Sequence, residues 1–320
     1  PRIDYTGGGC PHILAEPQRT NLITYSEDFS NASWTKQSGI TPTYNTTETL
    51  SPDGAYNATK FIGDGADGVY RASIGVSGVV CRTVYLKSVT GITTAILRDP
   101  NSSGAGTVSL TITNEWKRFE LIADNGTASQ GLWINNITSD GLYMWGADVQ
   151  EGSYPTSYIP TNGGTVTRNQ DIFTRDGIGS LINSTEGVLF LEYQSTEDSN
   201  LSLISISDGT DGDIVTIGRN ANSTNIYAGV RSNSGNSLYY SSGAFANTSD
   251  FIKVAVKWKV NDFAVWVNGT EVSTSLSGNA PIGLSEINFY YGNALHTFFG
   301  KVKQLQIYKT TDIDLAALTS

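Results

Sequence analysis

The sequence predicts an all-β protein built as two β-sandwiches in tandem. Three observations carry that prediction: short segments in which apolar and polar residues alternate, Gly- and Asn-rich turns between them, and a break in the pattern near mid-chain. The composition agrees. Among 320 residues there are 34 Gly, one Met and only 16% charged residues, with Asn, Ser and Thr filling the space that charge usually occupies. β-Branched and aromatic residues suit pleated strands, and Gly and Asn supply the positive φ of tight turns. The length is sufficient for two domains.

The chain opens irregularly. "ILAEPQRTNLITYSEDFSNASWTK", from Ile13 to Lys36, has too little periodicity for one helix or one strand. The segments "GVVCRTVYLKSV", "GTVSLTIT", "WKRFELIA", "QGLWINNI" and "GLYMWGADVQ" then alternate partially, as strands with one buried face do. In "GSYPTSYIPTNGGTVTRNQD" Pro155 and Pro160 forbid continued pairing and Asn162-Gly163-Gly164 marks a turn. The expected domains are therefore residues 1–167 and 168–320. Beyond the break the strands "GVLFLEYQ", "LSLISIS", "DIVTIGR", "NIYAGVRS", "FIKVAVKWKV", "FAVWVNGTEVS", "SEINFYYG" and "FFGKVKQLQIYK" follow. In the most regular of them Val254, Val256 and Trp258 alternate with Lys253, Lys257 and Lys259, giving one apolar and one solvated face. Asn261-Asp262 turns the chain, Phe263, Val265 and Val267 continue, and Asn268-Gly269 signals a type I′ hairpin. No internal repeat is evident.

Charge and composition exclude several function classes. A net charge of −10 and a pI of about 4.7, with no cluster of Lys and Arg, argue against nucleic acid. No apolar run approaches the roughly 20 residues that cross a bilayer, so membrane insertion is not expected. No signal-peptide pattern opens the chain, and a start at Pro1 is expected of a fragment or a processed product. Two His and two Cys leave zinc and Cys/His catalysis without material. Gly-x-Ser-x-Gly and phosphate loops are absent. Cys10 and Cys81 are compatible with one disulfide or with free buried thiols. The Asn-x-Ser/Thr triplets, at Asn31, Asn45, Asn57, Asn125, Asn136, Asn183 and Asn268, are what such a composition makes by chance, and glycosylation is not expected.

"FIKVAVKWKVNDFAVWVNGTEV" and the closing "FFGKVKQLQIYKTTDIDLAALTS" resemble the concanavalin A-like, laminin G-like sandwiches, over roughly residues 187–320. "EPQRTNLITYSEDFSNASWTK" with "MWGADVQEGSYPTSYIPTNGGTVTRNQD" resembles a jelly-roll, carbohydrate-binding-like module of tailed-phage tail fibres, tail spikes and head-spike fibres, over most of residues 1–170. In those proteins the module hands over to a concanavalin A-like domain. The resemblance implies a non-catalytic virion fibre or spike component, made in the host cytoplasm and exposed on the virion surface. It would be a lectin-like homotrimer that contacts other virion proteins and binds host cell-surface glycan for attachment. A purely structural decoration or connecting module is one alternative, and a polysaccharide-degrading lyase or glycosidase is another. Against the latter, the Glu-x-Asp-x-x-Glu run of the fold's glycosidases is missing, and His296, Tyr290 and Arg219 form no lyase motif. In a jelly roll the first and last strands are neighbours. The opening segment is thus expected beside "LYMWGADVQ", with Trp34 and Trp145 anchoring a shared core and Arg19 locking the opening loop.

Sugar recognition uses aromatic faces for pyranose rings and planar amides or carboxylates for hydroxyls. In the second half Arg231, Tyr239, Tyr240, Tyr290, Tyr291 and Asn293, with Asn236 nearby, form such a group. Adjacent strand residues face opposite ways, so one Tyr of each pair should lie outside the core. In the first half the candidates are Trp34, Trp116, Trp133, Tyr70 and Arg71, and Trp133 should point away from its apolar neighbours Leu132 and Ile134. Calcium is the expected ion. Asp208, Asp211 and Asp213 in "SDGTDGD", and Asp64 and Asp67 in "GDGADG", offer hard oxygen donors among glycines without the EF-hand spacing. The jelly-roll resemblance adds Asp148 near the last strand.

Overall fold

The structure is a computed structural model that describes residues 2–5, 11–100, 106–124, 126, 130–196, 200–221, 225–244 and 250–320. It is all-β, with two β-sandwiches and one short C-terminal helix, Leu315–Thr319, among the described residues. Among the described residues no helix is long and apolar enough to cross a membrane. The chain forms two compact units: Gln18–Asn169, and a unit made of Pro1–Pro17 with Gln170–Ser320.

The Gln18–Asn169 unit is a jelly-roll sandwich of two five-stranded antiparallel sheets. One sheet orders Thr107–Thr113, Ile92–Arg98, Leu132–Asn135, Val69–Arg71 and Thr35–Lys36; the other orders Lys117–Ala123, Val80–Ser88, Leu142–Glu151, Thr59–Ile62 and Thr41–Thr43. Alternation sends Val69, Leu97, Leu132 and Ile134 of the first sheet into one core with Phe61, Val84, Leu86, Leu142 and Met144 of the second. The irregular opening runs beside the last strand, as expected. Leu22 N donates to Val149 O at 2.9 Å, Ala147 N to Ser26 O at 2.9 Å, and the buried Asn21 amide bonds Ala147 O and Val149 N. Asn21 thus completes a ladder that an irregular segment cannot make with backbone alone. Trp34 is 1% exposed, packs edge-on against Phe29 and donates Nε1–H to Tyr25 O at 2.7 Å, so it is a core anchor. Trp145 is buried on the other face of its sheet, against Tyr85 and Tyr158. Arg19 bonds Gln18 O and lies over the Tyr154 ring. One element had no sequence signal: Arg82, fully buried, whose guanidinium donates to Asp99, Gln130 and the carbonyls of Gly131, Val80 and Ala123.

The second unit stacks a seven-stranded sheet on a six-stranded one, a concanavalin A-like sandwich. The larger orders Arg2–Asp4, His12–Ala15, Gly300–Tyr308, Glu186–Ser195, Ile252–Lys259, Phe263–Val267 and Thr270–Ser275. The smaller orders Thr174–Arg175, Glu286–Asn288, Ser202–Ser207, Ile214–Arg219, Asn225–Ser232 and Gly235–Ala244. Val254, Val256 and Trp258 are buried as their alternation with lysines requires. Asn268 and Gly269 have φ of 44° and 81°, as a type I′ turn demands. The C-terminal helix, capped by Asp314, packs Leu315 on the outer face of the larger sheet with Val188, Phe190 and Ala255.

This topology corrects one expectation. The first seventeen residues, assigned above to the jelly roll, belong to the other unit. Ile13 pairs with Val302 and Ala15 with Gly300, Ala15 is buried, and Ile13 packs on that unit's core. The gain is an edge: His12–Ala15 pairs along Gly300–Tyr308, which would otherwise present unpaired backbone. Where the chain departs and returns, Glu16 N donates to Asp171 Oδ2, Asp171 N donates to Glu16 O, and Arg2 bonds both carboxylates. Cys10 lies outside the described residues. Cys81 is a free buried thiol that donates to Gly152 O.

Candidate functional site

The jelly-roll sheet carries one row of large side chains on the face turned away from the core. The strands place Thr35 opposite Tyr70, Tyr70 opposite Trp133, Trp133 opposite Arg98 and Arg98 opposite Thr107. Leu132 and Ile134 are fully buried, so period-2 alternation turns Trp133 outward, as its sequence neighbours predict. The Tyr70 and Trp133 rings lie 5.3 Å apart, and the Arg98 guanidinium sits 4.6 Å from the indole centroid. A cation over the face of Trp is attracted by the ring quadrupole, which links Arg98 to the indole within the row. Trp133 Nε1 and Asn135 Oδ1, on the same face, have no hydrogen-bond partner among the described residues. The face therefore offers aromatic surface, and both of these polar atoms are buried beneath it. Beside it Gly68 is obligatory, since a Cβ there would lie 2.1 Å from Ile134 O and 2.6 Å from Trp133 Nε1.

Three of the expected partners are elsewhere. Arg71 follows Tyr70 on the strand and so faces the opposite way, and it donates to Ala72 O. Trp34 is in the core and offers no platform. Trp116 is half-buried and donates to Leu50 O. Arg98, which does join Trp133, was not anticipated: it lies on a strand 35 positions earlier, and only the sheet order brings the two together.

In the other unit Arg231, Tyr291, Asp211 and Asn293 do assemble. Arg231 donates to Tyr291 OH at 2.9 Å and to Ser234 O at 3.0 Å, with Asp211 at 3.7 Å and Asn293 bonded to Asp211. Tyr227, not anticipated, lies edge-on to Tyr239 at 5.6 Å, and burial pushes its hydroxyl up to about 12. Tyr239 is 54% exposed while Tyr240 packs on the core, so one of that pair is outside, as alternation requires. The second pair departs from the expectation. Tyr291 is 8% exposed, packed with Leu203 and Ile214, and Tyr290 is half-buried against the Thr174 hydroxyl. The strand has ended at Asn288, so strict alternation no longer applies. His296 meets Tyr291 edge-on at 6.2 Å, but that hydroxyl is already bonded to Arg231.

The acidic candidates are largely engaged by backbone. Asp208 Oδ1 accepts from Thr210 N and Oγ1, and Asp213 accepts from Ile282 N and Asn233 N, whereas Asp211 turns to Arg231. Asp64 Oδ1 accepts from Ala66 N and Asp67 N, which holds its carboxyl below the usual range, and Asp67 accepts from Gly39 N at 2.7 Å. Asp148 is 1% exposed and accepts from Gln150 and Ile159 N; burial raises its carboxyl to about 6 against the pull of Arg118. Among the described residues no group of three or more His, Cys, Asp or Glu is arranged to hold a metal.

No family model and no curated protein matches the chain. Solved structures do. The CBM40 of Ruminococcus gnavus IT-sialidase is 16% identical with a TM-score of 0.38, covering 46% of this chain and 98% of its own; the same module bound to alpha2,3 sialyllactose is 18% identical. The CBM22-1-CBM22-2 tandem of Paenibacillus barcinonensis Xyn10C is 12% identical with a TM-score of 0.32, covering 93% and 100%. Domains LG4-5 of the mouse laminin alpha1 chain are 11% identical with a TM-score of 0.29, covering 96% and 94%. Likeness at this distance leaves the ligand chemistry to be argued from this chain's own side chains.

Proposed function

We propose that the protein is a non-catalytic glycan-binding component of a phage-type fibre or spike, attaching the particle to host cell-surface glycan. The observation that carries the reading is the Tyr70–Trp133–Arg98 row, two aromatic rings and a guanidinium in contact on the outer face of the jelly-roll sheet. Amphipathic aromatics fixed by their neighbours suit sugars, whose rings are apolar on their faces and hydroxylated at their edges. Mutual contact in the row limits the side-chain entropy lost on binding. The acidic net charge of −10 fits an exposed, soluble particle component. The phage setting, the homotrimer and the virion partners rest on the wording of the opening and closing segments of the jelly roll. The test is a glycan array probed with the whole chain, with and without calcium. Binding to a defined set of glycans is the expected result, and no binding at any concentration in either condition would overturn the reading.

A further inference from the structure

We propose that a groove at one end of the concanavalin A-like unit is a second glycan subsite, selective for N-acetylated hexosamines. The inference rests on the glycan-binding reading above but concerns different residues in a different unit. The groove encloses about 690 Å³, within the roughly 300–1,000 Å³ of small-molecule sites. Asp208, Asp213, Asn233, Val260, Asn279 and Ile282 give its chemistry.

Its walls are tied together. Asp213 takes Ile282 N at 2.8 Å with Oδ1 and Asn233 N at 3.3 Å with Oδ2, joining two loops through one carboxylate. Asn261 N donates to Gly278 O and Gly278 N to Asn261 Oδ1, fixing the turn that carries Val260. Such a groove is largely preformed, which limits the ordering a ligand must impose.

The lining decides the ligand. Ile282 and Val260 are 71% and 52% exposed, branched aliphatic side chains held open to solvent beside two carboxylates and two primary amides. Among the described residues no cation and no aromatic ring lines the groove. The carboxylates disfavour an anionic sugar, and without a ring a plain hexose has no platform to stack on. What the lining complements is a neutral, donor-rich molecule with one compact apolar group. An acetamido substituent is that combination: its N–H and the ring hydroxyls donate to Asp208 and Asp213, and its methyl covers Ile282 and Val260. Hydrogen bonds to charged acceptors outweigh neutral ones, so the carboxylates hold either kind of sugar, and the methyl's burial against Ile282 and Val260 supplies the preference for the acetylated one.

Saturation-transfer NMR on the whole chain tests this with the methyl glycosides of N-acetylglucosamine and N-acetylgalactosamine, each against its plain hexose. The expected result is at least about tenfold tighter binding of one acetylated sugar than of its hexose. Ile282→Ser, at an exposed position, should remove most of that preference, Asp208→Asn, also exposed, should weaken both sugars together, and Trp133→Ala should leave both unchanged. Equal affinity for acetylated and plain sugars, or a preference indifferent to Ile282→Ser, overturns the subsite. Array binding that persists in either case keeps the function proposed above, so the two failures are distinguishable.

Discussion

Asp148→Asn is the most quantitative perturbation. Asp148 lies fully buried in the last jelly-roll strand, and its carboxyl is raised from 3.8 to about 6, chiefly by loss of solvent. Arg118 and Arg168 pull the other way, as do the bonds from Ile159 N and Gln150, but they do not compensate. At about 1.4 kcal/mol per pKa unit, the folded state favours the protonated form by ~3 kcal/mol relative to the unfolded chain. The sign follows: this stabilisation is fully present below pH 3.8 and is lost as pH rises through about 6. Hydrogen exchange of amides in Leu142–Glu151, corrected for intrinsic rates, reports on this unit alone. Wild type and variant should be about equally protected near pH 3, below the unfolded value. By pH 7.5 the wild type should fall behind by up to roughly a hundredfold. A protection ratio independent of pH, or one that favours the wild type as pH rises, would refute the reasoning.

Three further outcomes are expected. Arg82→Ala removes a fully buried guanidinium with five acceptors and should destabilise the jelly roll by about 3 kcal/mol or more, read as lost amide protection in Val80–Ser88; a change within error contradicts this. Gly269→Ala has space for its methyl but a φ of 81°, so thermal unfolding should show a cost of about 1–2 kcal/mol in the concanavalin A-like unit, and an unchanged transition would count against the turn assignment. The Cys81 thiol, pushed up to about 12 by burial, should resist iodoacetamide at pH 8 in the folded chain and react only on unfolding; rapid native alkylation would show the site to be open.

Local pattern reached some of this architecture and stopped at particular residues. Alternation placed Trp133 outward and split Tyr239 from Tyr240, because within a strand the facing of a side chain depends only on its neighbours. The Asn268-Gly269 hairpin was legible because its turn type demands positive φ at both positions. Arg98 was not legible as the partner of Trp133, since their pairing depends on strand order and register across distant segments. The same limit hid Arg2–Asp4 and His12–Ala15, whose partner strand Gly300–Tyr308 lies at the far end of the chain. Trp34 satisfied both a core and a surface reading until Phe29, Phe61 and the carbonyl of Tyr25 closed around it. Arg82 gave no signal, because a charge in an alternating segment reads as solvated until its buried partners are known.

The most direct test of the central claim compares wild type and Trp133→Ala by calorimetric titration with the strongest glycan from the array. Removing the indole from the centre of the Tyr70–Trp133–Arg98 row should cost on the order of 2 kcal/mol, roughly thirtyfold in Kd, while circular dichroism and the melting profile show the fold retained. An unchanged Kd in a folded variant would contradict the account and move the glycan site away from this face.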